Sequence, residues 1–195
     1  MQTTEKVKKI NALYLLLYIF APLAVIGICG VLYAQFVPQG AMAPLLSLAP
    51  TLLAAVWWIA GGRFIFKRQQ KKLAATLTQK GFVANNTFNA KNCHVVVDAQ
   101  HGEIALLFFW NPFQGTVLPA NRITKVWVDD GATGSGILRG SSRVSFLFTL
   151  DGTTIRVNTF TSNKRWNMDS NYILTGISKA DMMANVLEEA RKITH

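Results

Sequence analysis

The chain has 195 residues; half are hydrophobic and only 15% are charged, against roughly 25% charged residues in soluble domains. No charged residue occurs between Lys9 and Arg63, whereas residues 63–80 carry six basic side chains and no acidic one. The net charge of +10 is therefore concentrated beside an uncharged block. This distribution argues against a single soluble domain, and it predicts no nucleic-acid partner because the chain after residue 80 is nearly neutral.

Two apolar segments follow a basic N-terminus of residues 1–12. A bilayer core about 30 Å thick is crossed by about 20 apolar residues in a helix. Residues 13–34 and residues 45–66 are each long enough, and Pro and Gly interrupt the sequence between them. We predict that residues 13–66 form a hairpin of two transmembrane helices, with the membrane bilayer as the first partner.

Basic residues predict the orientation of this hairpin. Lys6, Lys8 and Lys9 precede the first span and the basic run at 63–80 follows the second, while the connecting loop is uncharged. Because positive side chains remain on the cytoplasmic side, the chain is expected to be a multi-pass inner (cytoplasmic) membrane protein with both termini in the cytoplasm. Apart from Arg63 near the end of the second span, neither span contains an acidic or basic side chain, which argues against a transporter or ion pump.

The segment 67–81 contains good helix-forming residues and ends at Gly81, a residue typical of helix C-termini. We expect the second span to continue into the cytoplasm as a basic juxtamembrane helix. Near an anionic leaflet, each cation would add about 1 kcal/mol of attraction. The candidate membrane-surface residues, expected to contact anionic lipid, are Arg63, Lys67, Arg68, Lys71 and Lys72.

Residues 82–195 have the apolar period of β-strands. "NCHVVVDAQHGEIALLFFW" predicts two strands around a turn at 100–102, and "GTVLPANRITKVWVDDG" predicts a short strand and then one ending at Asp129. Asp151-Gly152 marks the strongest hairpin. By alternation, its inward residues are Val144, Phe146, Phe148, Ile155 and Val157.

The final segment, "SKADMMANVLEEARKI", changes to a helical period. Ser178 is the expected N-cap. The predicted buried stripe consists of Met182, Val186, Leu187 and Ile193. Cys29 and Cys93 are expected to be free, buried thiols.

About six or seven antiparallel strands followed by one helix predict an α+β domain in which a curled sheet, or open barrel, is capped by the helix. In this order, residues 82–193 resemble the pleckstrin-homology-like domains of bacterial membrane proteins. The resemblance rests on "HVVVDAQHGEIALL", on "LPANRITKVWVDDG" and on the final helix. It implies a cytoplasmic binding or assembly module, since such folds are mostly not enzymes.

The candidates for chemistry are few. His94, Asp98 and His101 lie close in sequence, but their spacing does not suit a metal site and no fourth ligand is evident. Asp129 and Asp130 are expected to point to opposite faces of a strand. Because no nucleophile comes with a base and an orienting group, we predict no catalytic residue, no metal, no cofactor and no enzyme activity.

Two segments are candidates for ligand or partner contact. "GATGSGILRG" (131–140) is glycine-rich and contains Arg139, but it lacks the Lys followed by Ser or Thr that ends a P-loop. We therefore expect a loop between two strands. Lys164, Arg165 and Trp166 lie in a predicted loop before the last helix, and their combination of charge and aromaticity suits an interface.

The function expected from these features is that of a scaffold, adaptor or regulatory protein in the membrane. It would bind other membrane or cytoplasmic proteins and form a homo-oligomer. One alternative is a two-helix effector, gated by a ligand or partner, that perturbs the membrane on oligomerisation, as in bacterial anti-phage systems. Another is an exclusion or immunity protein.

Overall fold

The structure is a computed structural model that describes residues 10–36, 43–135 and 139–193. The first helix, α1, consists of Ala12–Leu15, a π-helical turn at Leu16–Phe20, and Ala21–Phe36. The second, α2, consists of Ala43–Val56, a π-helical turn at Trp57–Gly61, and Gly62–Gln79. The basic N-terminal lysines and most of the connecting loop lie outside the described residues.

Helices α1 and α2 are both long and apolar enough to cross a membrane. Only 6% and 17% of the residues in their most apolar stretches are buried, so they are not core helices of a soluble domain. Tyr14 Oη lies beside Gly62 and the Tyr18 hydroxyl donates to the Trp58 carbonyl, so residue numbers rise along α1 as they fall along α2 and the helices run antiparallel. We call this pair, up to Phe66, the apolar hairpin.

Helix α2 continues without interruption from the apolar hairpin to Gln79, as the sequence predicts. Lys80 turns the chain and Gly81 follows with a positive φ of 75°. Only glycine adopts this conformation without cost. The basic segment is therefore a continuous helical extension of the second apolar helix.

Seven antiparallel strands follow within the described residues. Strands β1 (Asn86–Asn89), β2 (Cys93–Asp98), β3 (Glu103–Phe108) and β4 (Asn111–Pro119) form one sheet in that order. Strands β5 (Ile123–Asp129), β6 (Gly140–Leu150) and β7 (Thr153–Asn167) form a second sheet. Helix α3, Asn171–Ala190, follows β7.

The strands belong to two separate sheets, not to one curled sheet, and in the described part of the chain they close no barrel. Pro119 and the 3₁₀ turn Ala120–Arg122 carry the chain from the edge of the first sheet to the edge of the second. One hydrophobic core nevertheless joins both sheets and α3. The predicted α+β arrangement is confirmed at this level.

The predicted hairpin of β6 and β7 is confirmed. Asp151 and Gly152 have φ values of 50° and 76°, and Leu150 pairs with Thr153 across them. This left-handed pair matches the right-handed twist of the flanking strands. All of the residues predicted to face inward are fully buried: Val144, Phe146, Phe148, Ile155 and Val157.

Three predictions for the C-terminal part were wrong in detail. Helix α3 begins at Asn171 with Ser170 as its N-cap, not at Ser178, and Ser170 Oγ accepts a hydrogen bond from the Ile173 N–H. At Gly176 the helix backbone lies against the sheet, since a Cβ added there would be 2.8 Å from Phe160 Cβ. The buried face of the helix is offset by about one residue from the predicted stripe and consists of Ile173, Gly176, Ala180, Met183, Leu187 and Ala190.

Of the predicted stripe, Leu187 is buried, whereas Met182 is 52% exposed. Val186 and Ile193 are half-buried, and Ile193 lies beyond the end of the helix. Lys164, Arg165 and Trp166, placed in a loop by the sequence, instead belong to the end of β7. The strand is longer than expected because Gly140 and Ser141 of β6 pair with Asn167 and Trp166.

Candidate functional site

An aromatic cluster joins the β domain to the base of the apolar hairpin. Tyr14 of α1 is fully buried and stacks on Tyr18 at 5.6 Å between ring centroids. Its ring meets Phe109 and Trp110, which form the β3–β4 turn, edge-on at 6.0 and 6.2 Å. Phe66 of α2 reaches Phe109 at 5.5 Å. We call these residues the aromatic junction; they fix one turn of the domain against both helices.

Polar contacts complete the aromatic junction. Asn11 caps α1 by accepting a hydrogen bond from the Tyr14 N–H. The Asn11 N–H donates to the Trp110 carbonyl at 3.0 Å, and its Nδ2 donates to Asn111 Oδ1 at 3.1 Å. The residue that starts the first apolar helix therefore also holds the β domain.

Gly62 lies at the centre of the aromatic junction. A Cβ atom at this position would lie 2.8 Å from the Tyr18 ring, 2.9 Å from Tyr14 Oη and 3.1 Å from the Phe109 ring. A Cβ atom closer than 3.0 Å to a neighbouring atom would force that neighbour to move. The three elements can therefore meet here because residue 62 has no side chain.

Farther along α2, its buried side packs on the first sheet. Leu77 forms a small hydrophobic cluster with Phe82, Val96 and Ala105, and Leu73 lies against Gly115 of β4. Strand β2 is consequently buried on both faces, with α2 on one side and the main core on the other. Burial of both faces explains why residues 95–97 are all apolar, since a strand with only one buried face would alternate apolar and polar residues.

Asp98 fixes the linker between α2 and the sheet. Its fully buried carboxylate accepts hydrogen bonds from the N–H groups of Val83, Gln100 and His101 at 2.7, 2.9 and 3.0 Å, and from His101 Nδ1 at 2.7 Å. Burial alone would raise the pKa of this carboxyl, but the hydrogen bonds outweigh burial and hold the pKa below its ordinary value. The anion therefore has a structural role.

Of the three residues considered for a metal site, His94 has its own partner, whereas Asp98 and His101 pair with each other. His94 Nδ1 lies 2.6 Å from Asn89 Oδ1, and burial lowers the pKa of His94, so this imidazole is neutral. His101 pairs with Asp98 at the domain surface. Within the described ranges, no three His, Cys, Asp or Glu side chains are grouped to hold a metal ion.

His101 predicts a pH dependence of stability. Its hydrogen bond to Asp98 raises the pKa of His101 above the ordinary value of 6.5. The protonated form thus stabilises the fold at low pH, and this contribution is lost as the pH rises through the folded-state pKa. We expect the Tm difference between wild type and His101→Gln, measured by scanning fluorimetry in detergent, to be larger at about pH 5.5 than at about pH 8.5. A constant difference would contradict this assignment.

The five predicted membrane-surface residues all lie exposed on α2, but the structure divides them. Arg63 and Lys67, one turn apart, line a cleft between α2 and the β1–β2 turn, whereas Arg68 and Lys72 do not. Lys71 lines a neighbouring cleft beside β1. The first cleft has a volume of about 690 Å³. We call it the basic cleft; it is lined by Arg63, Phe66, Lys67, Gln70, Asn89, Ala90, Lys91 and Phe109.

Lys91 is the member of the basic cleft that sequence reasoning missed. It is an isolated lysine in the β1–β2 turn, with no basic neighbour in sequence. Only the packing of the sheet on α2 brings it beside the helix. Gln70 Nε2 donates to Asn89 Oδ1 at 3.4 Å, so one polar contact already connects the two walls.

The four predicted partner-contact residues also come together. Pairing of Gly140 with Asn167 places Arg139 beside the end of β7, which carries Lys164, Arg165 and Trp166. The Arg165 guanidinium donates to the carbonyls of Thr133 and Gly140. The glycine-rich loop is thus tied to β7 at its described ends.

Tyr172 adds an aromatic ring that sequence reasoning missed. It is 59% exposed, and its ring centroid lies 4.6 Å from that of Trp166. Trp166 Nε1 donates to Ser162 Oγ, which fixes the indole. Aromatic and Arg side chains are enriched at protein interfaces. We call this surface the aromatic–basic patch: Arg139, Lys164, Arg165, Trp166 and Tyr172.

Two remaining predictions concern acids and thiols. Asp129 pairs with Arg156 at 2.8 Å and Asp130 with Arg139 at 3.3 Å, so the adjacent carboxylates do serve different partners. Both cysteines are free, as predicted; Cys93 is fully buried, which raises the pKa of its thiol, while Cys29 is only half-buried.

Comparison of the chain with family models, with curated proteins and with solved structures found no match.

Proposed function

We propose that this protein is a non-enzymatic scaffold, adaptor or regulatory protein of the inner membrane. Its apolar hairpin spans the bilayer, both termini are cytoplasmic, and the β domain is a pleckstrin-homology-like interaction module. The observation that carries the proposal is the aromatic junction, which packs the β3–β4 turn against both apolar helices. A domain held in this way is presented at a fixed height and angle above the membrane.

The exposure of the hairpin supports its insertion in lipid. Large apolar side chains of both helices, such as Ile28, Leu52 and Ile59, are 61%, 64% and 72% exposed. Monomeric soluble proteins rarely expose apolar patches larger than a few hundred Å². Lipid would cover these side chains without requiring a protein partner.

The element order supports the interaction module. A four-stranded and a three-stranded antiparallel sheet share one core with a C-terminal helix, the order in which the sequence resembles pleckstrin-homology-like domains. Within the described residues the domain's polar clusters serve structural contacts, as Asp98 and Asp129 show. Binding is the function that this combination supports best.

The aromatic–basic patch is the surface proposed for a partner protein. Its exposed Tyr172 ring packs at a tilt of 52° against Trp166, and Lys164, two residues before Trp166 on β7, is exposed. A partner of matching chemistry would present acidic and apolar side chains. The predicted homo-oligomer would require an acidic surface of the second copy, because two copies of this patch would bring like charges together.

The test is site-specific photo-crosslinking in intact cells. A benzophenone amino acid at Tyr172 is expected to yield a discrete adduct in the membrane fraction, and Lys164→Glu is expected to reduce it at least threefold by reversing one contact charge. The control places the same probe at Thr124, exposed on β5. Equal adducts at both positions, or none at Tyr172, would contradict the proposal, as would recovery of the protein in the soluble fraction.

A further inference from the structure

We propose that the basic cleft is a binding site for the phosphate headgroup of one anionic phospholipid. Three cations from two separate elements line it: Arg63 and Lys67 on α2, and Lys91 in the β1–β2 turn. No acidic side chain is among its lining residues in the described structure. The ion pairs formed within the described ranges involve none of these three cations.

The level of the basic cleft matches a headgroup. Arg63 follows Gly62, which contacts Tyr14 near the start of the first apolar helix. The cleft therefore opens where both apolar segments end. Its walls also contain Phe66 and Phe109, together with the side-chain amides of Gln70 and Asn89. Cations and amides suit the phosphate oxygens, while the rings suit the apolar beginning of the acyl chains.

The turn that carries Lys91 is fixed before any lipid binds. Asn92 Nδ2 donates to the Arg156 carbonyl at 2.6 Å, and Asn92 Oδ1 accepts from the Asn158 N–H at 3.1 Å. The Phe109 N–H donates to the Asn92 carbonyl at 3.0 Å. The turn is thus bound to β7 and to the aromatic junction. A prearranged site loses less freedom on binding, which distinguishes it from a diffuse basic surface.

A built site and a diffuse basic surface respond differently to the loss of a single lysine. A surface of helix lysines attracts any anionic membrane, and each lysine contributes about fivefold in affinity wherever it lies near the leaflet. A built site instead depends on the residues that line it. The inference rests on the membrane insertion in the proposed function, but it does not require a partner at the aromatic–basic patch.

Native mass spectrometry of the full chain in mild detergent tests the site. The probes are phosphatidylglycerol and phosphatidylcholine with identical acyl chains. Wild type is expected to retain one phosphatidylglycerol in preference to phosphatidylcholine. Lys91→Gln and Lys67→Gln are each expected to lower its affinity about fivefold or more. The matched control, Lys72→Gln, removes the same charge from an exposed position of α2 outside the cleft and is expected to change the affinity by less than twofold.

Several results would overturn the inference. They are equal losses for Lys72→Gln and Lys91→Gln, equal retention of both lipids, and displacement of the lipid by millimolar inorganic phosphate, which would identify a soluble anion as the ligand. These failures leave the proposed function standing if the Tyr172 adduct persists in the membrane fraction. Recovery of the chain in the soluble fraction would overturn both.

Discussion

Replacing Asp98 with alanine is expected to lower the free energy of unfolding by about 3 kcal/mol, because each hydrogen bond to a charged group contributes about 1.5–3 kcal/mol and buried donors would lose their acceptor. The carboxylate is fully buried and accepts from three backbone N–H groups. One of these, from Val83, holds the linker that follows α2. The loss therefore weakens the attachment of the sheet to α2 as well as the β2–β3 turn.

Denaturant unfolding of the full chain in detergent, followed by far-ultraviolet circular dichroism, measures this effect. Asp130→Ala is the matched control, since Asp130 is a half-exposed aspartate that accepts from the Ala132 N–H and pairs with Arg139. Exposed pairs of this kind contribute about 0–1 kcal/mol. If the two variants unfolded within 1 kcal/mol of each other, the central role of Asp98 would be wrong.

Replacing Gly62 with valine is expected to separate the β3–β4 turn from the apolar hairpin. The added side chain would overlap the rings of Tyr18 and Phe109 and the Tyr14 hydroxyl. Overpacking typically costs about 1–3 kcal/mol. A cost of about 2 kcal/mol raises the undocked population about 30-fold. The domain would remain folded, because Gly62 contacts none of the residues of its main core.

Hydrogen exchange by mass spectrometry provides the readout. The Asn11 N–H donates to the Trp110 carbonyl, so exchange in peptides that contain Asn11 is expected to accelerate in Gly62→Val, while peptides from β6 stay protected. Gly27→Val is the control, because a Cβ at Gly27 would meet no atom within 4 Å. Unchanged exchange at Asn11 in Gly62→Val would show that the junction does not hold the domain.

Features that depend on neighbouring residues in sequence were predictable. The β6–β7 hairpin followed from alternation around Asp151-Gly152, and the length of α2 followed from helix-forming residues up to Gly81. The start of α3 could not be predicted in this way, because Ser170 and Ser178 are both acceptable N-cap residues. In the structure the earlier start brings Ile173 into the main core and Gly176 against Phe160, and both are contacts with segments distant in the chain.

The candidate surfaces show the same division. Arg63 and Lys67 could be identified from the charge run alone, and Lys164, Arg165 and Trp166 from local composition. Lys91 and Tyr172 could not, since neither has a distinctive sequence context. Each becomes part of a surface only because a strand or helix packs beside residues that are remote in the chain.

The two apolar helices, the basic extension of the second helix and most of the strands follow from the sequence. These depend on periodicity and on residue preferences within a few positions. Packing between distant segments divides the strands into two sheets, places Phe109 against Gly62 and brings Lys91 into the cleft that Arg63 lines. Such contacts depend on the shapes of surfaces brought together by folding, which no local pattern encodes.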